Sequence, residues 1–151
     1  PAKKPTPLYT GTNSILNRIP DEINETPSVL INKFCPGPLT MRLKAKKDRS
    51  KYLTASTGRF AVRIPGESFA LHLAKKAGFP ITSTSANISG MPPAEDAETV
   101  IKYFGEKIDM IIDRGRTPGG LPSTIVDAAG ESIKIVREGA IPRSILEKMR
   151  S

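Results

Sequence analysis

Two stretches of strict alternation constrain this chain most. In the first, Leu39, Met41, Leu43 and Ala45 alternate with Thr40, Arg42, Lys44 and Lys46. In the second, Phe60, Val62 and Ile64 alternate with Arg59, Ala61 and Arg63. Successive side chains of an extended strand point to opposite faces, so a period of two sorts them into two sets. Each stretch predicts a half-buried strand with an apolar face, the cations standing on the other.

The punctuation around these strands predicts the remaining elements. Thr26-Pro27 reads as a helix start, a hydroxyl cap followed by Pro at the first helical position. Leu30 and Phe34 share one face of that helix, and Pro36-Gly37-Pro38 stops it. Pro65-Gly66 ends the second strand, and Ser68 caps a helix carrying Phe69, Leu73 and Ala77, closed by Lys75, Lys76 and Gly78. A short strand over Phe79–Ser83 leads into a loop of small polar residues, Ser85–Pro93. A helix over Ala94–Phe104 follows, with Ala97, Val100, Ile101 and Phe104 inward, then a strand over Ile108–Asp113 and a Gly/Pro/Arg loop, Arg114–Pro122. Strands Thr124–Asp127 and Ile133–Arg137 join through a turn near Gly130, and Arg143–Arg150 is a closing helix. Strands and helices intermingle, and several strands meet through links of hairpin length. The expected class is α/β, a twisted mixed sheet flanked by helices and not a purely parallel doubly wound one.

A chain of 151 residues suits one domain, residues 1–151, and can bury roughly 68–70% of the surface its unfolded form exposes. One cysteine, Cys35, cannot form an intrachain disulfide and reads as a small, partly buried thiol. With a single His, His72, a Cys/His zinc cluster of the usual kind is ruled out. No segment approaches the ~20 apolar residues of a membrane span, and the N-terminus has no signal-peptide pattern. These features predict a reducing, cytoplasmic setting without a membrane partner. The net charge of +8 favours anionic partners such as nucleotides, pyrophosphate or RNA, although it also fits a merely solubilising surface.

Four segments have the residue types for anion chemistry. Ile81–Gly90 (ITSTSANISG) follows a strand and precedes a helix, where backbone N–H groups and short hydroxyls gather at a sheet's carboxyl edge. A plain Ser/Thr-rich turn fits the same letters. Arg63 stands opposite its strand's apolar face, so if partly buried it needs a carboxylate or phosphate partner. In water it needs none. The glycines of Arg114–Thr124 would let backbone approach a ligand closely, or simply make a surface loop. Arg137, before Glu138-Gly139, ends a strand, as a ligand contact or as an edge cation.

Taken in order, these segments resemble one family. Phe34-Cys35-Pro36-Gly37-Pro38-Leu39-Thr40 resembles its aromatic-Trp-Pro-Gly-Pro-Leu-Thr segment, and Ala61-Val62-Arg63-Ile64-Pro65 its Val-Arg-x-Pro strand. Thr84–Gly90 is similar to its Ser-Ala-Asn loop, Pro122–Asp127 to its Ser-Thr-hydrophobic-Asp strand, and Val136–Gly139 to its Arg-x-Gly end. The family is YrdC/YciO, and the resemblance covers about residues 5–148. It implies a twisted sheet lining a concave, positively charged cavity. It also implies an L-threonylcarbamoyladenylate synthase, a nucleotidyltransferase making threonylcarbamoyl-AMP and pyrophosphate from L-threonine, bicarbonate and ATP with Mg²⁺. The product serves N6-threonylcarbamoyladenosine (t6A) modification of tRNA, through downstream threonylcarbamoyl-transfer proteins. Position by position, the resemblance implies that Arg63, Ser83 and Ser123 bind threonine, and that Lys4, Arg59, Ser85, Asn87 and Arg137 bind the nucleotide. It assigns no nucleophile or base, no tightly bound cofactor and no known metal ligand. The rival expectation is a non-catalytic protein of the same fold that binds nucleotide or double-stranded RNA.

The chain departs from the family pattern in three places. The family's opening Thr-Asp-Thr-x-Tyr-Gly-Leu is not found. Pro7-Leu8, with Lys3 and Lys4 before it, resembles the Pro-Leu pair further along, so the upstream quarter is expected to be absent. Gly11 falls near a position where some members carry a His for threonine. Cys35 replaces the usual Trp, a loss of aromatic volume that neighbours must fill.

Overall fold

The computed structural model describes residues 6–13, 25–45 and 54–149. Among them six strands form one sheet: β1 (Pro7–Tyr9), β2 (Leu39–Lys44), β3 (Arg59–Arg63), β4 (Ile81–Thr82), β5 (Thr124–Asp127) and β6 (Lys134–Arg137). Their order is β4-β1-β3-β2-β5-β6. β1 runs parallel to β3 and β2 parallel to β5, while the other three neighbours are antiparallel. The sheet is mixed, as the hairpin-length links require. The helices are α1 (Glu25–Phe34), α2 (Phe69–Ala77), α3 (Ala97–Phe104) and α4 (Arg143–Glu147). None of the described helices is long and apolar enough to cross a membrane.

The chain divides into two compact units. The first, Pro1–Ser83 with Pro122–Ser151, holds the sheet with α1, α2 and α4; the second is Thr84–Leu121, with α3 and two long loops.

In the sheet unit both alternating stretches bury the expected faces. Leu39, Met41, Leu43, Ala45, Phe60, Val62 and Ile64 pack with Leu30 and Ile31 of α1, Leu71 of α2, Leu146 of α4, and Val126. All three helices therefore cover the same side of the sheet. The opposite side carries Tyr9, Thr40, Arg42, Arg59, Arg63 and Asp127 by alternation and register. Burial on that side is uneven: Thr40 is 3% and Ala61 4% exposed, so the middle of the polar face is also shielded.

Thr124 is fully buried, and a buried hydroxyl needs partners. Its Oγ1 accepts from the backbone N–H groups of Gly139 and Ile141, both at 2.9 Å, and donates to the Ile141 carbonyl at 2.7 Å. The Ala140 N–H donates to the Pro122 carbonyl at 2.9 Å. The segment leaving β6 is thus strapped across the start of β5. The approach is so close that a Cβ on Gly139 would overlap the Pro122 carbonyl oxygen and lie 2.7 Å from the Ser123 carbonyl carbon. Only glycine fits there.

Several boundaries differ from expectation. α1 begins at Glu25, so Thr26 lies inside it instead of capping it, with Pro27 still in the first turn where no N–H partner is needed. α2 has its Ser68 cap and its left-handed Gly78 (φ 70), but it buries Leu71 and Ala74, leaving Phe69 and Leu73 exposed. Apolar residues occupy most of this helix, so periodicity could not choose among its faces. Packing chooses instead: the chain after β1 presses on the helix end, where a Cβ on Gly11 would lie 2.5 Å from the Lys75 backbone nitrogen. A larger residue at position 11 would have to displace α2.

In the second unit α3 starts at Ala97, not Ala94, because the Asp96 carboxylate caps it by accepting from the Thr99 N–H at 2.8 Å. Ile101, expected inward, is 56% exposed. Residues Ile108–Asp113 form no strand; Met110 is 77% and Ile112 53% exposed. A strand needs a neighbour for its ladder, and among the described residues no sheet edge pairs with this run. The strand over Phe79–Ser83 shortens to Ile81–Thr82, and the closing helix to Arg143–Glu147.

Replacing Thr124 by Val keeps the side chain's shape but strips two backbone N–H groups of their acceptor. At about 1–3 kcal/mol for each buried group left unsatisfied, we expect a loss of roughly 2–6 kcal/mol. Urea unfolding should show a lowered midpoint with an unchanged slope; an unchanged midpoint would mean that the strap is not held by Thr124.

Candidate anion-binding site

Arg63 ends β3 on the polar face and is half-buried. Its Nε donates to the Gly37 carbonyl at 3.0 Å, and its Cζ stands 5.7 Å from the centroid of the Tyr9 ring, its register partner in β1. Gly37 in turn donates its N–H to the Ile64 carbonyl at 2.8 Å. The Pro36-Gly37-Pro38 turn that ends α1 therefore doubles as a bracket for the guanidinium. With Nε engaged, the two terminal nitrogens have no hydrogen-bond partner among the described residues. Their fork matches a planar carboxylate.

A second group sits at the same end of the sheet. Parallel pairing of β2 with β5 sets Leu39 beside Thr124, which places Ser123 next to Thr40 on the polar face. Their hydroxyl oxygens are 2.8 Å apart. Arg137 comes in from β6, opposite Ile125, and its Nη2 donates to the Ser123 carbonyl at 2.8 Å while lying 3.5 Å from Ser123 Oγ. The last pair of the β2–β3 ladder is Met41 with Val62, so Thr40 and Arg63 occupy the next positions on that same face. Arg63, Thr40, Ser123 and Arg137 thus gather along one edge.

Other expected residues stand elsewhere. Arg59 begins β3, four residues from Arg63, about 13 Å away at ~3.3 Å per residue. Its Nε faces Asp127 Oδ2 at 3.6 Å, a structural ion pair. Ser83 follows β4 and donates its backbone N–H to the Pro7 carbonyl at 2.8 Å, alongside the start of β1. Lys4 lies outside the described residues.

Ser85 and Asn87 belong to the second unit. Asn87 ties its loop together. Its backbone N–H donates to the Ser85 carbonyl at 2.9 Å, and its Nδ2 donates to the carbonyls of Ile88 at 3.0 Å and Met91 at 2.9 Å. Its Oδ1 is buried without a partner. The Ser85 side chain is exposed and its hydroxyl has no partner among the described residues. Further along, the Arg116 guanidinium pairs with Glu95 at 2.7 Å, and the Thr117 N–H donates to the Glu95 carbonyl at 2.7 Å. This pins the Gly/Pro/Arg loop to the segment that follows the Ser-Ala-Asn loop.

Sequence reasoning did not assign roles to Thr40, Tyr9, Gly37 or Gly139. Thr40 had a usable signal, as the one uncharged residue among the outward positions of its strand. The Tyr9 ring and the Gly37 carbonyl had none, because cross-strand stacking and backbone acceptors leave no mark in the letters.

Cys35 lies beside this site. Burial pushes its thiol up from an ordinary 9.0 to about 11, only partly opposed by a hydrogen bond with the Ile64 backbone and the nearby charge of Arg63. The thiol packs against the core as a neutral group.

A family model described as "Telomere recombination", the Sua5/YciO/YrdC model, matches residues 1–139. The chain is 34% identical over 149 residues to a threonylcarbamoyl-AMP synthase of Pyrococcus abyssi, covering 99% of this chain and 44% of that protein. It matches the crystal structure of P. abyssi Sua5 complexed with L-threonine with a TM-score of 0.89, covering 99% of this chain and 44% of that one. Against E. coli YciO the TM-score is 0.79 at 26% identity, covering 94% and 69% of the two chains. The chain thus spans less than half the length of the P. abyssi protein.

The raised Cys35 value has a checkable sign. The folded state holds this proton more tightly than the unfolded one, so the associated stability is full below about pH 9 and is lost as pH rises toward about 11. The urea midpoint of the native protein should fall across that window more than that of Cys35→Ala. At pH 8 a shift of this size leaves about 100-fold less thiolate, so iodoacetamide should label native Cys35 about 100-fold more slowly than the unfolded chain.

Proposed function

From the premise that this chain belongs to the Sua5/YciO/YrdC family, we propose that it carries an L-threonylcarbamoyladenylate synthase site, active in t6A modification of tRNA. The observation that carries this reading is Arg63. A half-buried guanidinium is bracketed by a carbonyl and a ring, with its fork unpaired and the Ser123 hydroxyl on the same face. A carboxylate-bearing amino acid is the natural complement, and the related P. abyssi Sua5 has been crystallised with L-threonine.

In this reading residues 1–151 form one YrdC-like domain around a concave cationic cavity. Arg63 grips the threonine carboxylate, with Ser123 and Ser83 along the amino acid. Ser85 donates to a phosphate from a loop that Asn87 shapes, and Arg137, Arg59 and Lys4 neutralise the nucleotide. Threonine's amine takes up bicarbonate with loss of water, giving a carbamate. A carbamate oxygen attacks the α-phosphorus of ATP, and pyrophosphate leaves with its magnesium. No covalent enzyme intermediate is needed, so the protein contributes positioning and charge neutralisation. The setting is cytoplasmic, and downstream transfer proteins move the threonylcarbamoyl group to tRNA, with AMP as the leaving group.

One observation favours a second reading. The polar face of the sheet carries Arg42, Lys44, Arg59, Arg63 and Arg137 with Asp127 as a counter-charge, a field suited to a polyanion. On this reading the chain binds double-stranded RNA without catalysis, and affinity falls steeply with salt.

The test uses the chain with L-threonine, bicarbonate and ATP-Mg, following pyrophosphate. Release should depend on threonine. Arg63→Lys, which keeps the charge and loses the fork, should lower kcat/KM about 10- to 100-fold, or roughly 1.4–2.7 kcal/mol. Arg137→Ala should chiefly raise KM for ATP. A folded sample with no threonine-dependent release would reject the synthase reading.

A further inference from the structure

We infer that Thr40 is a positioning residue that fixes the direction of the Ser123 hydroxyl proton, and so selects an oxygen atom of the amino-acid substrate at that point. The inference rests on the proposed synthase reading and adds to it the polarity of one contact.

A hydroxyl has one proton and two acceptor positions. Ser123 Oγ has two neighbours, Thr40 Oγ1 at 2.8 Å and Arg137 Nη2 at 3.5 Å. The guanidinium can only donate, and its orientation is held by its stronger bond to the Ser123 carbonyl at 2.8 Å. The Ser123 proton therefore cannot point toward Arg137. Thr40 is only 3% exposed, and among the described residues Ser123 Oγ is the acceptor within reach of its hydroxyl. A buried O–H without an acceptor is costly, so Thr40 donates to Ser123. Thr40 then takes one acceptor position of Ser123, and the Arg137 guanidinium, 3.5 Å away, faces the other. Its proton therefore turns away from both, along the polar face that also carries Arg63.

Ser123 is thereby a donor to the ligand and a poor acceptor from it. It suits a carboxylate or carbamate oxygen and rejects an ammonium. This polarity also agrees with the chemistry: the substrate amine must keep its lone pair for bicarbonate, and a serine whose acceptor side faces Thr40 and Arg137 is poorly placed to trap that amine as a donor. Without the Thr40 hydroxyl, Ser123 regains a free acceptor position and can turn.

The experiment compares wild type, Thr40→Val and Thr40→Ser by calorimetric titration with L-threonine, by steady-state pyrophosphate release, and by thermal unfolding. Valine keeps the volume and removes the hydroxyl; serine restores the hydroxyl without the methyl. Thr40→Val should raise the threonine Kd and KM about tenfold with KM for ATP changed less than about twofold, and Thr40→Ser should recover most of the loss. Adding Ser123→Ala to Thr40→Val should cost little more, because both changes remove one contact. A folded Thr40→Val protein that binds threonine like wild type overturns the inference and leaves the synthase reading standing. Equal losses for threonine and ATP also overturn it, since they indicate general damage. Wild type that binds no threonine rejects the reading itself and the inference with it. Should Thr40→Val fail to fold, Thr40→Ala carries the same comparison.

Discussion

One buried hydroxyl holds the site end of the sheet together. Thr124 Oγ1 makes three hydrogen bonds to a segment about 15 residues further on, at Gly139 and Ile141. Through them the chain leaving β6 is drawn across the start of β5, and Arg137 arrives beside Ser123. On the other flank the parallel pairing of β2 with β5 delivers Thr40, 83 positions from Ser123 in sequence. The site is thus built from distant stretches whose relation is set by backbone ladders and one strap, and little is left to side-chain freedom. Gly139 belongs to the same device, because only a residue without Cβ lets the two backbones touch.

Helices α1, α2 and α4 cover one face of the sheet, and the polar residues of its strands stand on the other. The two alternating stretches supply both halves of this arrangement, since each apolar residue that anchors a strand to α1, α2 or α4 is followed by one that faces away. Site and core are therefore coupled. A one-residue slip of β3 would bury Arg63 among the core side chains and expose Val62. Burial of Phe60, Val62 and Ile64, at about 1.5–3 kcal/mol each, opposes that slip and so also fixes where the guanidinium points.

The sheet was legible in the sequence because its signals are strictly local and mutually consistent: alternation in β2 and β3, a Ser68 cap and a left-handed Gly78 around α2, and Pro-Gly-Pro after α1. The failures have a common cause. Ile101 and the 108–113 run are apolar, and apolar character suggests burial or pairing; Phe69 and Leu73 are apolar helix residues that packing leaves exposed. Whether such residues are covered depends on partners elsewhere in the chain, and these four were left exposed or unpaired. For the candidate site, Arg63 and Arg137 are residue types that bind anions, and Ser123 is named by the family resemblance. The residues that aim them were not found, because a Gly37 carbonyl, a Tyr9 ring and a Thr40 hydroxyl act by position and not by chemical type.

The arginines divide by what neutralises them. Arg59 has Asp127, Arg116 has Glu95 and Arg143 has Glu147. The Arg116 and Arg143 pairs are exposed and of the kind that contributes little to stability, while Arg59 meets a half-buried carboxylate. Arg63 is half-buried, yet among the described residues no carboxylate pairs with it; a carbonyl dipole and an aromatic face take that place. These fix its geometry and leave its charge uncompensated, an arrangement less favourable to the empty protein than an ion pair would be. An anion entering the fork supplies the missing charge and finds the donor already oriented, so the protein has met part of the cost of binding in folding. What sets Arg63 apart from the ion-paired arginines is that a carbonyl and a ring hold its orientation while its charge stays uncompensated among the described residues.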